Sequence, residues 1–429
     1  MLAQWIPALA GMIFTWALPV LSKAGERRTE SPKIILDRES PIRYKKVYLY
    51  SHCINILQRR CGQTETLNTA FETKASLGAG VDSPTHAVVH AAVIGATGYA
   101  GCELLTLLSR HPATSVTCLM SSGRDGTKAF AIENSHPRLR GRFSVLCEPL
   151  NVEQVINSGS EVVFLATPHE TSHQIVPRLL ESGLRVVDLS GAFRLKDAAA
   201  YTQWYGFDHT AAAALAEAVY GIPELDAPAI AKARLVSNPG CYPTSVILAL
   251  APLLRAGWVN VAAGIIADSK SGVTGAGRKP SDKLHFPEVN ENLRAYGLFH
   301  HRHLPEMLQE LALSPKDFIF TPHLLPISRG ILTTIYLHLS PLRNLNEVAA
   351  LFHDFYSGAP MVRIYPAGTL PEILGVANTQ YADIGFALDE ATGRLILVST
   401  IDNLGKGAAG QAVQNMNLMF GFPQQMGLF

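Results

Sequence analysis

From Val88 onward the apolar positions alternate between two periods. VVHAAVIG is a short continuous apolar run, and the pattern predicts a buried strand. YAGCELLTLLSRH follows with Leu104, Leu105, Leu107 and Leu108 on one face, which predicts an amphipathic helix ended at His111-Pro112. SVTCLM (115–120), EVVFLAT (161–167), RVVDLS (185–190) and RLVS (234–237) read as further strands, with SHQIVPRLLESG helical among them. Such alternation predicts a parallel sheet covered by helices on both faces. After Gly264 the runs lengthen: IIADSKSG, FIFTPH, GILTTIYLHLS and RLILVSTI predict a second, mixed or antiparallel sheet. GKGAAGQAVQNMNLMFG is helical again and is placed back on the first domain. The expected division is an extension at 1–87, a dinucleotide-binding domain at 88–240 with 402–429, and an α+β catalytic and oligomerisation domain at 241–401.

The first 88 residues follow neither period. Met1 to Leu21 carries no charged side chain, and 22–86 is polar and aperiodic, a pattern expected of loop or disorder. This part holds 11 basic and 7 acidic residues, against 25 and 28 in the remainder. A membrane anchor or export signal, an organelle leader and an upstream extension all fit it. The third is the expectation, because the periodic pattern begins abruptly at Val88. The 429 residues carry a net charge of +1, which gives no field to gather nucleic acid. Six cysteines without a C-x-x-C pair argue against a zinc ribbon or a disulfide scaffold, and no metal is expected. A soluble intracellular α/β enzyme or binding protein fits this composition, and a cytoplasmic location is expected.

Between the first strand and helix lies Gly95-Ala96-Thr97-Gly98-Tyr99-Ala100-Gly101. Glycines there permit a tight turn and let backbone N–H groups meet a pyrophosphate at the helix N-terminus. The second strand ends in Ser121, Ser122 and Arg124 rather than the acidic residue typical of NAD sites, so NADP(H) is the expected cofactor. Arg124 has the simpler reading of a solvated loop charge. Cys241, in SNPGCYPT, stands at a strand end and a helix start, where thiolate character is favoured. FHHRHLPEM supplies His300, His301 and His303 as acid/base partners, although core or solvated histidines account for at least two of them. SKSGVTGAGRK (269–279) is a glycine-rich cationic loop suited to an anionic substrate.

These segments, with FLATPHE, DLSGAFR, PHLLPISRGIL and DNLGKGAAGQAVQ, resemble the N-acetyl-gamma-glutamyl-phosphate reductase family in content and order over about residues 90–429. Ser245 departs mildly, standing where Gly or Ala is common in that family. The resemblance implies a Rossmann-type domain joined to a semialdehyde-dehydrogenase-like α+β domain. It implies reduction of N-acetyl-γ-glutamyl phosphate by NADPH to N-acetyl-glutamate 5-semialdehyde with release of inorganic phosphate, the third step of arginine biosynthesis. Cys241 is then the nucleophile and His301 the acid/base, with His303 as second candidate. Arg194, Arg278, Lys279 and Arg329 are the candidates for the phosphate or carboxylate, and Asn403 for the nicotinamide amide. A homodimer or homotetramer is expected. The rival readings are aspartate-semialdehyde dehydrogenase, a reductase of a carrier-protein-linked acyl phosphate in lysine biosynthesis, and a non-catalytic nucleotide sensor.

Overall fold

Val89–Ile94 is buried at all but one position, which is what the centre of a sheet demands of a continuous apolar run. This strand, β1, belongs to a computed structural model that describes residues 87–122 and 128–429. The expectations for 1–86, including Cys53 and Cys61, and for Arg124 lie outside the described residues. The first sheet continues with β2 (Thr114–Met120), β3 (Phe130–Ala131), β4 (Leu146–Glu148), β5 (Val162–Leu165), β6 (Arg185–Asp188), β7 (Val219–Tyr220) and β8 (Leu235–Ser237). Their order is β3-β4-β2-β1-β5-β6-β8-β7, and all pairs are parallel except β3 with β4. The chain leaves β1 for β2 on one side and later places β5 on the other. That reversal opens a crevice at the carboxyl ends of β1 and β5, where such sheets bind ligands.

The second sheet comprises β9 (Ile265–Gly272), β10 (Arg294–Ala295), β11 (Phe318–Leu325), β12 (Ile331–His338), β13 (Val362–Ile364), β14 (Ala382–Asp389) and β15 (Arg394–Ile401). In the order β10-β11-β9-β12-β15-β14-β13 it is mixed, with parallel pairing in β9–β11 and β13–β14. One face is buried: Ile265, Ala267, Ile335 and Leu397 pack with Val246, Ile247 and Leu250 of the Cys241–Arg255 helix. The other face leaves Ile266, Ile319, Tyr336 and Ile396 exposed, following the period-two alternation.

Two elements join the sheets at the crevice. The Cys241–Arg255 helix leaves the end of β8 and packs into the core of the second sheet. After β15 a π-helical turn, Gly405–Ala409, leads into the Gly410–Met419 helix, whose Ala412, Val413 and Met416 pack in the core around β1. Lys406 in that turn is fully buried, its Nζ 2.7 Å from both Glu224 and Gln414. No helix among the described residues is long and apolar enough to cross a membrane.

Candidate active site

A cleft of about 620 Å³ lies between the glycine turn after β1, the start of the Cys241–Arg255 helix and the loop Thr274–Lys279. The turn is built by its glycines in different ways. Gly95 has a φ of +85°, and a side chain there would collide with the carbonyl oxygen of Ala166 beyond β5. A side chain on Gly101 would strike the carbonyl of Gly95, so this glycine lets the helix approach the turn. Gly98 is different: its missing Cβ would meet nothing closer than 3.5 Å, and it lines the cleft with Tyr99. Gly98 is also the N-cap of the Tyr99–Leu108 helix and offers no side-chain cap. A helix N-terminus without a side-chain cap, opening on the cleft at the sheet's reversal point, fits a dinucleotide pyrophosphate. Ala96 and Thr97 complete the turn. The Thr97 carbonyl accepts hydrogen bonds from Arg278 at 2.7 Å and His136 at 3.0 Å. Ser121 and Ser122 follow β2, and the Ser121 N–H donates to the Glu148 carbonyl at 2.7 Å.

Cys241 lines the cleft at the N-terminus of its helix. The helix start, through the Tyr242 N–H, does favour the thiolate as the sequence suggested, but it is outweighed. Burial dominates and pushes the thiol up to about 11, against the opposing charges of Arg194 and Arg302. Such a thiol is protonated at neutral pH and needs a base.

The two histidines are placed unequally. His303 lines the cleft, and its ring occupies the space a side chain on Gly240 would take: a Cβ there would sit 2.6 Å from His303 Nε2. His303 Nδ1 is buried and has no hydrogen-bond partner among the described residues. His301 stands behind it, edge-on to Tyr242, Tyr296 and Phe320, and its Nδ1 accepts the backbone N–H of His303 at 3.2 Å. Burial, then the Arg302 charge, bring His301 down to about 4. Burial, then His301 and the two arginines, hold His303 well below its ordinary value. Both rings are neutral at pH 7. His300 is exposed.

Of the basic candidates, Arg278 and Lys279 line the cleft. Arg329 does not. Its Nε and Nη2 reach Asp402 at 2.8 and 2.9 Å and its Nη1 reaches Glu103 at 2.8 Å, so it ties the first helix to the end of β15. Arg194 borders the cleft but commits all three nitrogens: Nε to the Asn238 carbonyl, Nη1 to Glu306 and Nη2 to the Leu189 carbonyl. Asn403 lines the cleft with its Oδ1 taken by Gly330 N–H and its Nδ2 donating to Thr274.

Two residues escaped the sequence reading. Arg302, exposed between the histidines, lines the cleft, and its charge reaches Cys241, His303 and His169. Glu306, fully buried, accepts from Arg194, Tyr220 and the Gly240 N–H. Both lie in the same HRHLPE run as the histidines, but their roles depend on residues far away in sequence. Ser245 is buried and satisfied, its hydroxyl bonded to the Tyr242 carbonyl at 3.0 Å and to Thr333 at 2.7 Å.

Comparison with known proteins agrees with this architecture. The family described as "Semialdehyde dehydrogenase, NAD binding domain" matches residues 90–233, and "Semialdehyde dehydrogenase, dimerisation domain" matches 241–403. An N-acetyl-gamma-glutamyl-phosphate reductase of Desulfotalea psychrophila is 50% identical over 345 residues, covering 80% of this chain and 98% of that protein. The chain belongs to the N-acetyl-gamma-glutamyl-phosphate reductase family. Reductases of the same name from Pelotomaculum thermopropionicum and Geobacter metallireducens are 47% and 48% identical, over 79% and 80% of this chain and 97% and 98% of theirs. Among solved structures, aspartate semialdehyde dehydrogenase II of Vibrio cholerae shares the fold at a TM-score of 0.57 and 18% identity, covering 77% of this chain and 98% of its own. The Candida albicans aspartate semialdehyde dehydrogenase, solved with NADP, does so at 0.58 and 14%, covering 78% and 99%.

Proposed function

We propose that the chain reduces N-acetyl-γ-glutamyl phosphate to N-acetyl-glutamate 5-semialdehyde with NADPH, releasing inorganic phosphate, in arginine biosynthesis. The observation that carries this reading is Cys241 at a helix N-terminus in a cleft shared by the glycine turn and by His303. The backbone of Gly98 and Tyr99 would hold the dinucleotide's pyrophosphate, Ser121 and Ser122 would lie near its 2′-phosphate, and Asn403 near its nicotinamide. When bound, the dinucleotide supplies the hydride.

The chain's own residues do the rest. Neutral His303 takes the thiol proton, and the Cys241 thiolate attacks the acyl carbon, so that phosphate departs and a thioester remains. Once that carbon is reduced, the tetrahedral oxyanion would reform the carbonyl and expel the sulfur, and the imidazolium of His303 would return its proton to the departing Cys241 thiolate, freeing the aldehyde. Burial makes His303 a weak base and Cys241 a weak acid, so the transfer is uphill before substrate binds; what supports His303 is its neutral ring, packed on Gly240 beside the thiol in the same cleft. We assign the acid/base role to His303 and the fixing of its backbone to His301, reversing the order expected from sequence. Lys279 and Arg302 carry no ion pair at the cleft among the described residues and serve as the anchors for substrate anions, with Arg278 beside the glycine turn.

A dimerisation domain matches 241–403, and the exposed strip of Ile266, Ile319, Tyr336 and Ile396 on the second sheet is the surface we assign to a homodimer or homotetramer. We place the enzyme in the cytoplasm and divide the chain at 240/241 and 401/402. The test is the reverse reaction: purified protein given semialdehyde, phosphate and NADP should form NADPH only when all three are present. NADPH formation with aspartate semialdehyde instead would refute the substrate assignment.

A further inference from the structure

We propose that Arg194 and Glu306 form a charged clamp that positions the turn bearing Cys241, aligning the thiol with His303 at the expense of its intrinsic reactivity. The proposal rests on Cys241 being the nucleophile. The turn Asn238-Pro239-Gly240 is gripped at both ends. Arg194 Nε donates to the Asn238 carbonyl at 2.9 Å, and the Gly240 N–H donates to Glu306 Oε2 at 3.1 Å. The two side chains are joined to each other by Arg194 Nη1 and Glu306 Oε1 at 3.0 Å, both buried. Arg194 Nη2 donates to the Leu189 carbonyl at 2.8 Å, tying the end of β6 to the end of β8. The Tyr220 hydroxyl donates to Glu306 Oε2 at 2.8 Å and adds β7 to the assembly.

Glu306 lies three residues after His303, in the first turn of the Leu304–Glu310 helix. One short helix end therefore carries both the imidazole that packs on Gly240 and the carboxylate that holds the Gly240 N–H. Hydrogen bonds from charged partners to backbone are strong and directional, which suits a clamp on three residues. Its cost falls on the sulfur. Glu306 opposes a charged thiolate, while Arg194 and Arg302 favour one. Among the other titratable groups beside the thiol, His303 is neutral, and the phenols of Tyr242 and Tyr296 are held neutral by burial. Removing the carboxylate charge should therefore free the thiolate and loosen the turn together.

The experiment measures two quantities on the full chain: the rate of Cys241 alkylation by iodoacetamide against pH, mapped by peptide mass, and steady-state turnover. Glu306→Gln keeps an acceptor and loses the charge. At a fixed pH below the midpoint, alkylation should be at least about fivefold faster than in the unmodified protein. Turnover should fall by about 10²-fold with KM for NADPH unchanged within about twofold. A merely structural role would not raise thiol reactivity while lowering kcat. Unchanged or slower alkylation, or kcat within about twofold of the parent, would overturn the clamp. Glu306→Asp keeps the charge and withdraws the grip, so kcat should drop at least about tenfold with alkylation nearly unchanged. Full activity in Glu306→Asp would overturn it as well, and this variant decides if the glutamine variant does not fold. Failure of the underlying reading is separately visible, because Cys241→Ser would then remain active.

Discussion

Gly240→Ala isolates the alignment of nucleophile and base. Gly240 has φ −66° and ψ 154°, ordinary extended backbone, so alanine brings no conformational strain. What it brings is a methyl group 2.6, 2.7 and 2.9 Å from His303 Nε2, Cδ2 and Cε1. Reaching an ordinary contact of 3.4 Å requires the ring to withdraw by roughly 0.8 Å. Misplacement on that scale costs about 10²-fold in rate when two groups must react in fixed geometry. The overpacked contact should also remove about 1–3 kcal/mol of stability. The assay is NADPH consumption with the acyl phosphate, beside direct titration of NADPH binding and a urea melt. We expect kcat down by about 10²-fold, NADPH affinity unchanged and a folded protein. A folded variant with parental kcat would show that His303 need not sit against the Cys241 turn, and the acid/base assignment would fall.

Cys241→Ser should be nearly inactive yet bind NADPH normally, because a hydroxyl ionises far less readily than a thiol; calorimetric titration with turnover checks both. His303→Asn should cost about 10²–10⁴ in kcat and His301→Asn less, measured in the same steady-state assay. Stability should fall as pH drops from about 6.5 toward 4. The unfolded chain binds protons there that half-buried His301, held at about 4, refuses, and denaturant melts across that window should lose on the order of 3 kcal/mol, a loss that His301→Asn reduces. Ser122→Asp should weaken a strong preference for NADP over NAD, read as the ratio of kcat/KM values.

Much of the architecture was legible because it depends on local pattern. The apolar runs that become β1, β5 and β6 are buried on both faces, and the glycine turn needs its glycines for reasons within reach of a strand–turn–helix reading. β14 was missed because Asp383 and Gly385 interrupt its apolar run. Asp383 is buried there only because Arg363 pairs with it at 2.6 and 2.7 Å, and a side chain on Gly385 would meet the Thr369 carbonyl. The short edge strands β3, β7 and β10 have two residues each, too few to show a period.

The site was legible in its residue types and less so in their roles. Arg329 and Arg194 look like free cations in sequence, and their partners Asp402 and Glu306 lie 73 and 112 residues away. The choice between His301 and His303 turns on which ring fills the space above Gly240, more than 60 residues upstream, which no local pattern encodes. The helix N-terminus promised an acidic thiol, and burial in the folded protein reversed that expectation.

The central claim is a thioester on Cys241, and trapping it tests the claim most directly. The protein is mixed with N-acetyl-γ-glutamyl phosphate in the absence of NADPH, quenched in acid, digested and weighed by mass spectrometry while released phosphate is counted. The account predicts one N-acetylglutamyl adduct per chain on the peptide containing Cys241, one phosphate released per adduct, and discharge of the adduct to semialdehyde when NADPH is added. Turnover with no adduct, or an adduct on Cys102, Cys118 or Cys147 instead, would contradict it.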